Sequence, residues 1–475
     1  MSYFFDQLFF ASGSLLSSSL RVVSSALVFI LSGFSISAIA GEGDFTLGYE
    51  AQLYRPGVVP EVFNMISVGG DYSAADRNSE TKIDFRFSFD PAEFRVYAIR
   101  SENFYWMTAP GGRRKDGSSK FSLSLGRKSQ AWSELDRDWN LSLVQPIDQW
   151  DRFRPVQQGL IGAFLDYDAE IFLLHGFASY LVYPENIPNV VIDNGRFQPR
   201  HPQAISSIPE TVNVLNQPAP LYYEIEYPSI PEFLFRPSLM MSVETRPSSP
   251  LLFRALYGYK PLNYLNFALR GNFSIPDNHV KIYIKPRLLS NQLVSADLGY
   301  RAHGNAFSFG LSGIAQIPDP EDLSTDYTYA PLTNSTLISP WLKWKGADFD
   351  GSISALWWSG GLDPDTGPFS NPGSAVFSSH VFYRTAFQFK AGAPAPLLPE
   401  GSRLQGRWIH ELALSADWIG GDLLVPVQTG AGRMTFILGA DVIRAEADSN
   451  SSLGGEMLVD LRPLDHVRIG VQLAI

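Results

Sequence analysis

The sequence predicts an all-β chain, a single transmembrane antiparallel up-and-down β-barrel of about 18–22 strands, each about 10 residues long and tilted across the bilayer. Three observations carry that prediction. Apolar and polar residues alternate along most of the chain, which is the period of a strand with two different faces. No apolar run long enough for a membrane helix follows the N-terminal segment. The alternation also runs to the last residue: Val467, Ile469, Val471, Leu473 and Ile475 share one face, and His466, Arg468, Gly470 and Gln472 share the other. A strand at the end of a chain must find partners on both edges, and in a closed barrel the last strand pairs with the first.

Composition agrees. Of 475 residues, 45% are hydrophobic, 18% charged and 13% aromatic, with 39 Gly and 33 Pro to punctuate many turns. Mean hydropathy is close to zero, at −0.04. The absence of Cys rules out disulfides, thiolate metal sites and a Cys nucleophile. A formal charge of −11 argues against a nucleic-acid partner.

Taken in order, residues 1–40 read as an export signal peptide. Arg21 precedes an apolar run from Val22 to Leu31, and Ala38-Ile39-Ala40 supplies small residues for cleavage after Ala40. Residues 41–475 form the barrel. Thr81, Ile83, Phe85, Phe87 and Phe89 alternate with polar partners before Asp90-Pro91-Ala92-Glu93 turns the chain into Phe94–Arg100, a hairpin pattern. A second pair meets at Asp166–Glu170. Residues 183–218 are Pro-rich and read as a long irregular loop, lying outside or folded inward as a constriction, with Arg196, Arg200 and His201 as its cations. Alternation returns from 219 to 315, with strands over 265–273 and 280–285, and residues 317–333 form an acidic loop. Later strands fall near 336–346, 349–358, 379–391, 404–419, 431–445 and 453–462. Trp341, Trp344, Trp357, Trp358, Trp408 and Trp418 lie near strand ends, where an interfacial belt places them. Strand polarity stays open, because the tight turn Arg462–Asp465 would face outside if Ile475 ends in the periplasm.

Charged side chains on strands are forced inward, since Arg or Lys facing lipid at the midplane costs about 2–4 kcal/mol. Arg86, Arg95, Arg270, Lys281, Lys285, Arg384, Lys390, Arg407 and Arg468 are the expected lumen cations, with Asp84, Asp297, Glu411 and Asp417 as inward acids. Inward charge by itself means only a hydrated or salt-bridged lumen, whereas a cationic excess would also attract anions. No His pair stands at a metal-ligand spacing and no GxSxG elbow is present, so neither a catalytic nor a metal centre is expected. The polar turn Gly111–Gly117 reads as solvated.

Leu125-Gly126-Arg127-Lys128-Ser129-Gln130-Ala131-Trp132, then Gln145-Pro146-Ile147-Asp148-Gln149-Trp150-Asp151-Arg152-Phe153 and Gln158-Gly159-Leu160, resemble a neighbourhood of porin-like and alginate-export-like outer-membrane barrels. There a strand ends with Gly-Arg and an irregular loop runs to the next strand. Gln-Pro stands here for the more usual Asn-Pro, and Ile475 replaces the aromatic C-terminal residue such barrels favour. The resemblance implies a single-chain channel and carries no substrate or binding residue. The expected function is a bacterial outer-membrane channel for passive or selective passage of small, anionic solutes. The alternatives are an exporter conduit for an acidic polysaccharide and a plugged structural or adhesive barrel. The expected partners are outer-membrane lipid, the barrel assembly machinery, a small-molecule solute and further copies of the chain. Passage down a gradient needs no cofactor.

Overall fold

The last strand finds both partners. In the computed structural model, His466–Ala474 pairs antiparallel with Gly432–Ala445 on one edge and with Glu42–Tyr54 on the other. The structure describes residues 42–54, 62–75, 79–90, 95–108, 121–169, 171–185, 190–199, 203, 210–214, 216–274, 278–302, 306–319, 327–329, 332–346, 348–362, 383–412, 415–430, 432–445 and 465–475. The predicted signal peptide, the turn Gly111–Gly117, most of the acidic loop, and Arg200 and His201 lie outside them, as does the predicted strand 453–462.

Around the barrel from Glu42–Tyr54 the strands run Val62–Ala75, Ser79–Asp90, then a strand in two parts, Arg95–Arg100 and Phe104–Thr108, both paired with Ser79–Asp90. Phe121–Lys128, Leu160–Asp168, Phe172–Ser179, Ser238–Thr245, Leu251–Pro261 and Ser290–Arg301 follow. Phe307–Pro318, Leu332–Lys345, Asp350–Leu362, Thr385–Pro394, Arg403–Glu411, Ala416–Thr429 and Gly432–Ala445 lead to the closing strand. The result is an 18-strand closed antiparallel barrel, within the range the sequence predicts. Closure matters because a bilayer offers no water to an unpaired strand edge.

The two faces separate as the alternation requires. On the closing strand Val467 and Ile469 are 42% and 51% exposed on the outside, while His466 and Arg468 are 4% and 9% exposed on the inside. Leu47, Tyr49, Leu251, Phe253, Phe309, Leu311, Ile353, Phe389, Leu438 and others continue an outward apolar surface around the barrel. Trp357 and Trp408 belong to it. Trp341, Trp358 and Trp418 do not; they are buried on the inner face, so the predicted tryptophan belt is split by strand parity.

Polarity follows from the connections. Residues 129–159, 180–237, 262–289 and 446–465 all join strands at one end. At the other end connections range from 76–78 and 430–431 up to 109–120, and both Glu42 and Ala474 lie there. Arg462–Leu464 of the predicted turn lie outside the described residues, and Gly432–Ala445 pairs directly with His466–Ala474, so residues 446–465 connect neighbouring strands. That removes the conflict over which end carries the long loops.

Two sequence readings need correction. Asn266–Ser274 and His279–Arg287 do not enter the wall. With Thr211–Val214, Gln217–Ile225 and Thr328–Tyr329 they make a separate five-stranded sheet, joined to the barrel between Pro261 and Ser290. Their alternation is real, but the apolar face of Leu221, Tyr223 and Ile284 packs against Ile192, Val212, Phe267 and Ile282, where lipid was expected. Period alone cannot tell these two environments apart. The second correction concerns 183–218, which is not free of pairing. Val190–Asp193 and Arg196–Pro199 form a hairpin turned by Asn194 and Gly195, both at positive φ (50° and 77°), as a tight two-residue turn requires. Pro199, Pro218 and Pro220 take ladder positions near strand ends in these short pairs, where proline is tolerated.

The wall's two faces make opposite demands on charge. Ile469→Lys should destabilise the folded barrel by about 2–4 kcal/mol, read by urea unfolding in lipid vesicles. Gln472→Lys, on the inner face of the same strand, should leave the midpoint nearly unchanged.

Candidate functional site: a loop inserted into the lumen

The segment that folds inward is 129–159, between Phe121–Lys128 and Leu160–Asp168. It coincides with the stretch that resembles porin-like barrels. Among the described residues, 183–218 reach it through Glu185, which accepts from Gln149 at 3.4 Å, and through Gln203, which accepts from the Arg152 amide at 2.6 Å and donates to Tyr54 and Asp151 at 3.1 Å each. Arg196 is exposed in its hairpin.

Two glycines let the loop leave and rejoin the wall. At Gly126, with φ 126°, an added Cβ would stand 2.2 Å from the Phe104 carbonyl oxygen, and at Gly159 one would stand 2.2 Å from that of Glu102. The loop opens on a helix, Glu134–Trp139, ended by Asn140 in the left-handed region, followed by an irregular return. Asp136 organises that return. Its carboxylate accepts from the amides of Leu143, Val144 and Gln145 at 2.8, 3.1 and 3.3 Å. Asp148 and Asp151 repeat the device on the amides of Trp150 (2.9 Å) and Phe153 (3.1 Å).

Apolar side chains hold the loop inside. Trp132, Leu135, Trp139, Leu143, Val144, Ile147, Trp150 and Phe153 are all buried. Trp150 meets Phe63 at 5.4 Å, Trp139 meets Tyr383 at 5.6 Å and donates to Ser339 at 3.1 Å, and Phe153 lies between His466 and Trp418 at 4.9 and 5.5 Å. Each large side chain fully buried this way is worth about 1.5–3 kcal/mol.

Charge completes the attachment. Around the inner wall runs a chain of ion pairs of alternating sign. Lys128 meets Asp166 (2.7 Å), Asp166 meets His175 (2.7 Å), and His175 meets Glu244 (3.4 Å). Glu244 holds Arg254 (2.6 Å), which also faces Asp297 and the loop's Glu134 at 3.4 Å. Lys343 bridges Glu134 (2.8 Å) and Asp138 (2.7 Å), and Lys390 donates to the Asp138 carbonyl (2.7 Å). Arg407 donates to the Phe153 carbonyl, pairs with Asp441 (2.9 Å) and lies 3.9 Å over the Trp418 ring. The loop's Arg154 joins Asp441 (2.7 Å) to Asp422 (3.0 Å), and Arg468 joins Asp422 (2.6 Å) to Glu50 (3.0 Å). Burial alone would raise the Glu134 carboxyl, but Lys343, Arg137 and Arg254 outweigh it and hold it at about 2. Burial likewise opposes ionisation of Asp151, and Arg154, His466 and Arg468 overcome it and keep that carboxyl well below the usual range. For Asp136 the amides of Leu143, Val144 and Gln145 and the charge of Lys260 do not offset burial, which pushes it up.

The cations named from the sequence separate into groups. Lys390, Arg407 and Arg468 lie on the inner wall inside this chain of pairs. Arg384, just ahead of Thr385–Pro394, donates from its backbone to Glu411 and from its side chain to the Gly360 carbonyl, both at 3.0 Å. Arg86 is on the inner wall and has no ion-pair or hydrogen-bond partner among the described residues. The Arg95 side chain lies outside the description. Arg270, Lys281 and Lys285 are on the separate sheet, where Arg270 meets Glu226 at 2.8 Å, Lys281 pairs with Glu224, and Lys285 lies 5.7 Å over Tyr327. Asp297 and Glu411 face inward as expected. Asp417 does not. It shares the outer face with His410 (2.9 Å) and Trp408 (2.8 Å), because the single expected strand over 404–419 is two antiparallel strands, Arg403–Glu411 and Ala416–Thr429. Sequence reasoning missed Lys128, Arg254, Lys343, Asp422 and Asp441, which strand parity could have supplied, and Glu134, Asp138 and Arg154, which it could not.

Asp136→Asn should leave one or two of the three amides without an acceptor, a cost of about 1–3 kcal/mol each. Trypsin should then cut after Arg137, Arg152 or Arg154 in folded, membrane-inserted protein, sites that the native barrel shields.

No family model matches the chain, and no curated protein matches it in sequence. Among solved structures the fold is similar to that of Pseudomonas aeruginosa OccK2 (OpdF) in complex with glucuronate, at 12% identity and TM-score 0.49, covering 92% of this chain and 96% of that one. It is also similar to Acinetobacter baumannii OccAB1, at 9% identity and TM-score 0.46 with 92% and 96% covered. A BenF-like porin from Pseudomonas fluorescens Pf-5 matches at 11% identity and TM-score 0.46, with 92% and 98% covered. The likeness is one of chain path and carries no residue role or solute over to this chain.

Proposed function

We propose that this protein is an outer-membrane channel that lets small solutes, anions preferred, pass by diffusion through a lumen narrowed by residues 129–159. The observation that carries the proposal is the inserted loop itself, anchored to a charged inner wall within a closed barrel whose outer face is apolar. A structural plug would need only to fill space. Here ion pairs fasten the loop from Arg100, which holds Asp148 at 2.9 Å, round to Glu50, and Arg86 between them has no ion-pair partner among the described residues. An unpaired cation on a hydrated wall lowers the barrier for anions. A lumen filled to this extent favours small solutes over a polysaccharide. The long connections at one end, and both described chain ends at the other, support an orientation with the long loops outside the cell.

The depth of burial of the loop favours one second reading, a barrel closed by its own loop and used as a structural or adhesive element. The two readings separate in a planar bilayer. Purified protein should give steady openings whose reversal potential under a salt gradient reports anion preference, and Arg86→Gln should shift that potential toward the cation side. Silence from protein shown to be folded would favour the closed barrel.

A further inference from the structure

The ion pairs that fasten the loop do not run all the way round. They run from Arg100, which holds the loop's Asp148 at 2.9 Å, and Lys128 round to Glu50, and among the described residues the strands Val62–Ala75 and Ser79–Asp90 contribute none of them. Burial differs in part between the fastened wall and this strip. On the fastened part of the wall the inward residues Ser295, Ser339 and Ser354 are at most 4% exposed beneath the loop. On the strip Gln52, Phe63 and Ser88 are at most 3% exposed toward the long-loop end, but toward the short-turn end Asp71 and Ser73 are exposed and Ser67 is half-buried, these three on the inner face of Val62–Ala75. The strip also has an order of charge. Arg86 is followed, toward the short-turn end, by a row in which Asp44, Asp71 and Asp84 stand directly opposite one another on three adjacent strands. Adjacent strands are about 5 Å apart, so this row is a compact band of negative charge, bordered on the same face by Lys82, which stands opposite Ser73.

Resting on the channel reading above, we propose that the solute path is off-axis. It runs between the loop and the strip made by Glu42–Tyr54, Val62–Ala75 and Ser79–Asp90, and it meets charges of opposite sign in series, Arg86 and then the aspartate row. The fastened sector is closed to solutes. The aspartate row raises the local concentration of cations at the short-turn mouth. It therefore opposes the preference that Arg86 sets deeper in, and the two together make current depend on the direction of flow.

The chain has no Cys, so single cysteines can report the path without background. Ser67→Cys and Ser73→Cys lie on the strip; Ser295→Cys and Ser354→Cys lie under the loop. Each variant is reconstituted, exposed to thiosulfonate reagents carrying a sulfonate or a trimethylammonium group, and followed by mass and by current. The strip cysteines should react fast and the reaction should cut the current, with the cationic reagent severalfold faster at Ser73→Cys. Asp71→Asn in the same background should remove that difference in rate. The cysteines under the loop should stay unmodified. Equal labelling of both sets, or labelling of the strip with current unchanged, would overturn the off-axis path. No current before any reagent would sink the channel reading, and this inference with it, a result distinct from misplaced labelling.

Discussion

Everything in this molecule depends on the pairing of Glu42–Tyr54 with His466–Ala474. Two open edges in hydrocarbon would leave a row of backbone donors and acceptors without partners, at several kcal/mol each. Closure removes them and fixes the rest. Once the sheet is a cylinder, one side of every strand must face lipid and the other the lumen, and the alternation from Leu47 to Ile469 is the consequence. The lumen then becomes the only place in the wall for Arg254, Lys343, Arg407 and Arg468.

Those inward charges raise a second problem. A guanidinium or carboxylate removed from water costs several kcal/mol unless it is paired and hydrogen-bonded. The wall alone does not pair them all, and the inserted loop supplies the missing partners: Glu134 for Arg254 and Lys343, Asp138 for Lys343, and Arg154 for Asp422 and Asp441. The loop in turn would be poorly placed in water, because Trp132, Trp139, Trp150 and Phe153 need the inner wall to cover them. Loop and wall are complementary in both charge and apolar surface. The mismatch left over, on the strip carrying Arg86, is where a functional lumen can remain.

The wall was legible in the sequence wherever alternation met lipid on one side. Phe85 and Phe87 against Arg86, and Val467 and Ile469 against Arg468, needed no structure to be assigned a face. The reading failed where alternation met protein on both sides. Leu269 and Ile282 alternate as well as any barrel strand, yet belong to the separate sheet, and Arg270 and Lys281 went with them. It failed again where parity shifts at a turn, which put Asp417 on the wrong face. The inserted loop was the hardest element to foresee. Its order comes from Asp136, Asp148 and Asp151 binding nearby amides, and those residues in a sequence look like ordinary turn formers. The signals were the porin-like stretch from Leu125 to Leu160 and the run of Trp132, Trp139 and Trp150 in a connection that should have been polar. Pro content drew attention to 183–218 instead, and proline reports on strand pairing, not on burial.

Hydrogen exchange of the folded protein in lipid tests the central claim, that residues 129–159 are packed inside the barrel, most directly. The amides of Leu143, Val144, Gln145, Trp150 and Phe153, held by buried carboxylates, should exchange as slowly as those of the strands beside them. Exchange of this segment at the rate of an exposed loop, with the strands still protected, would contradict it.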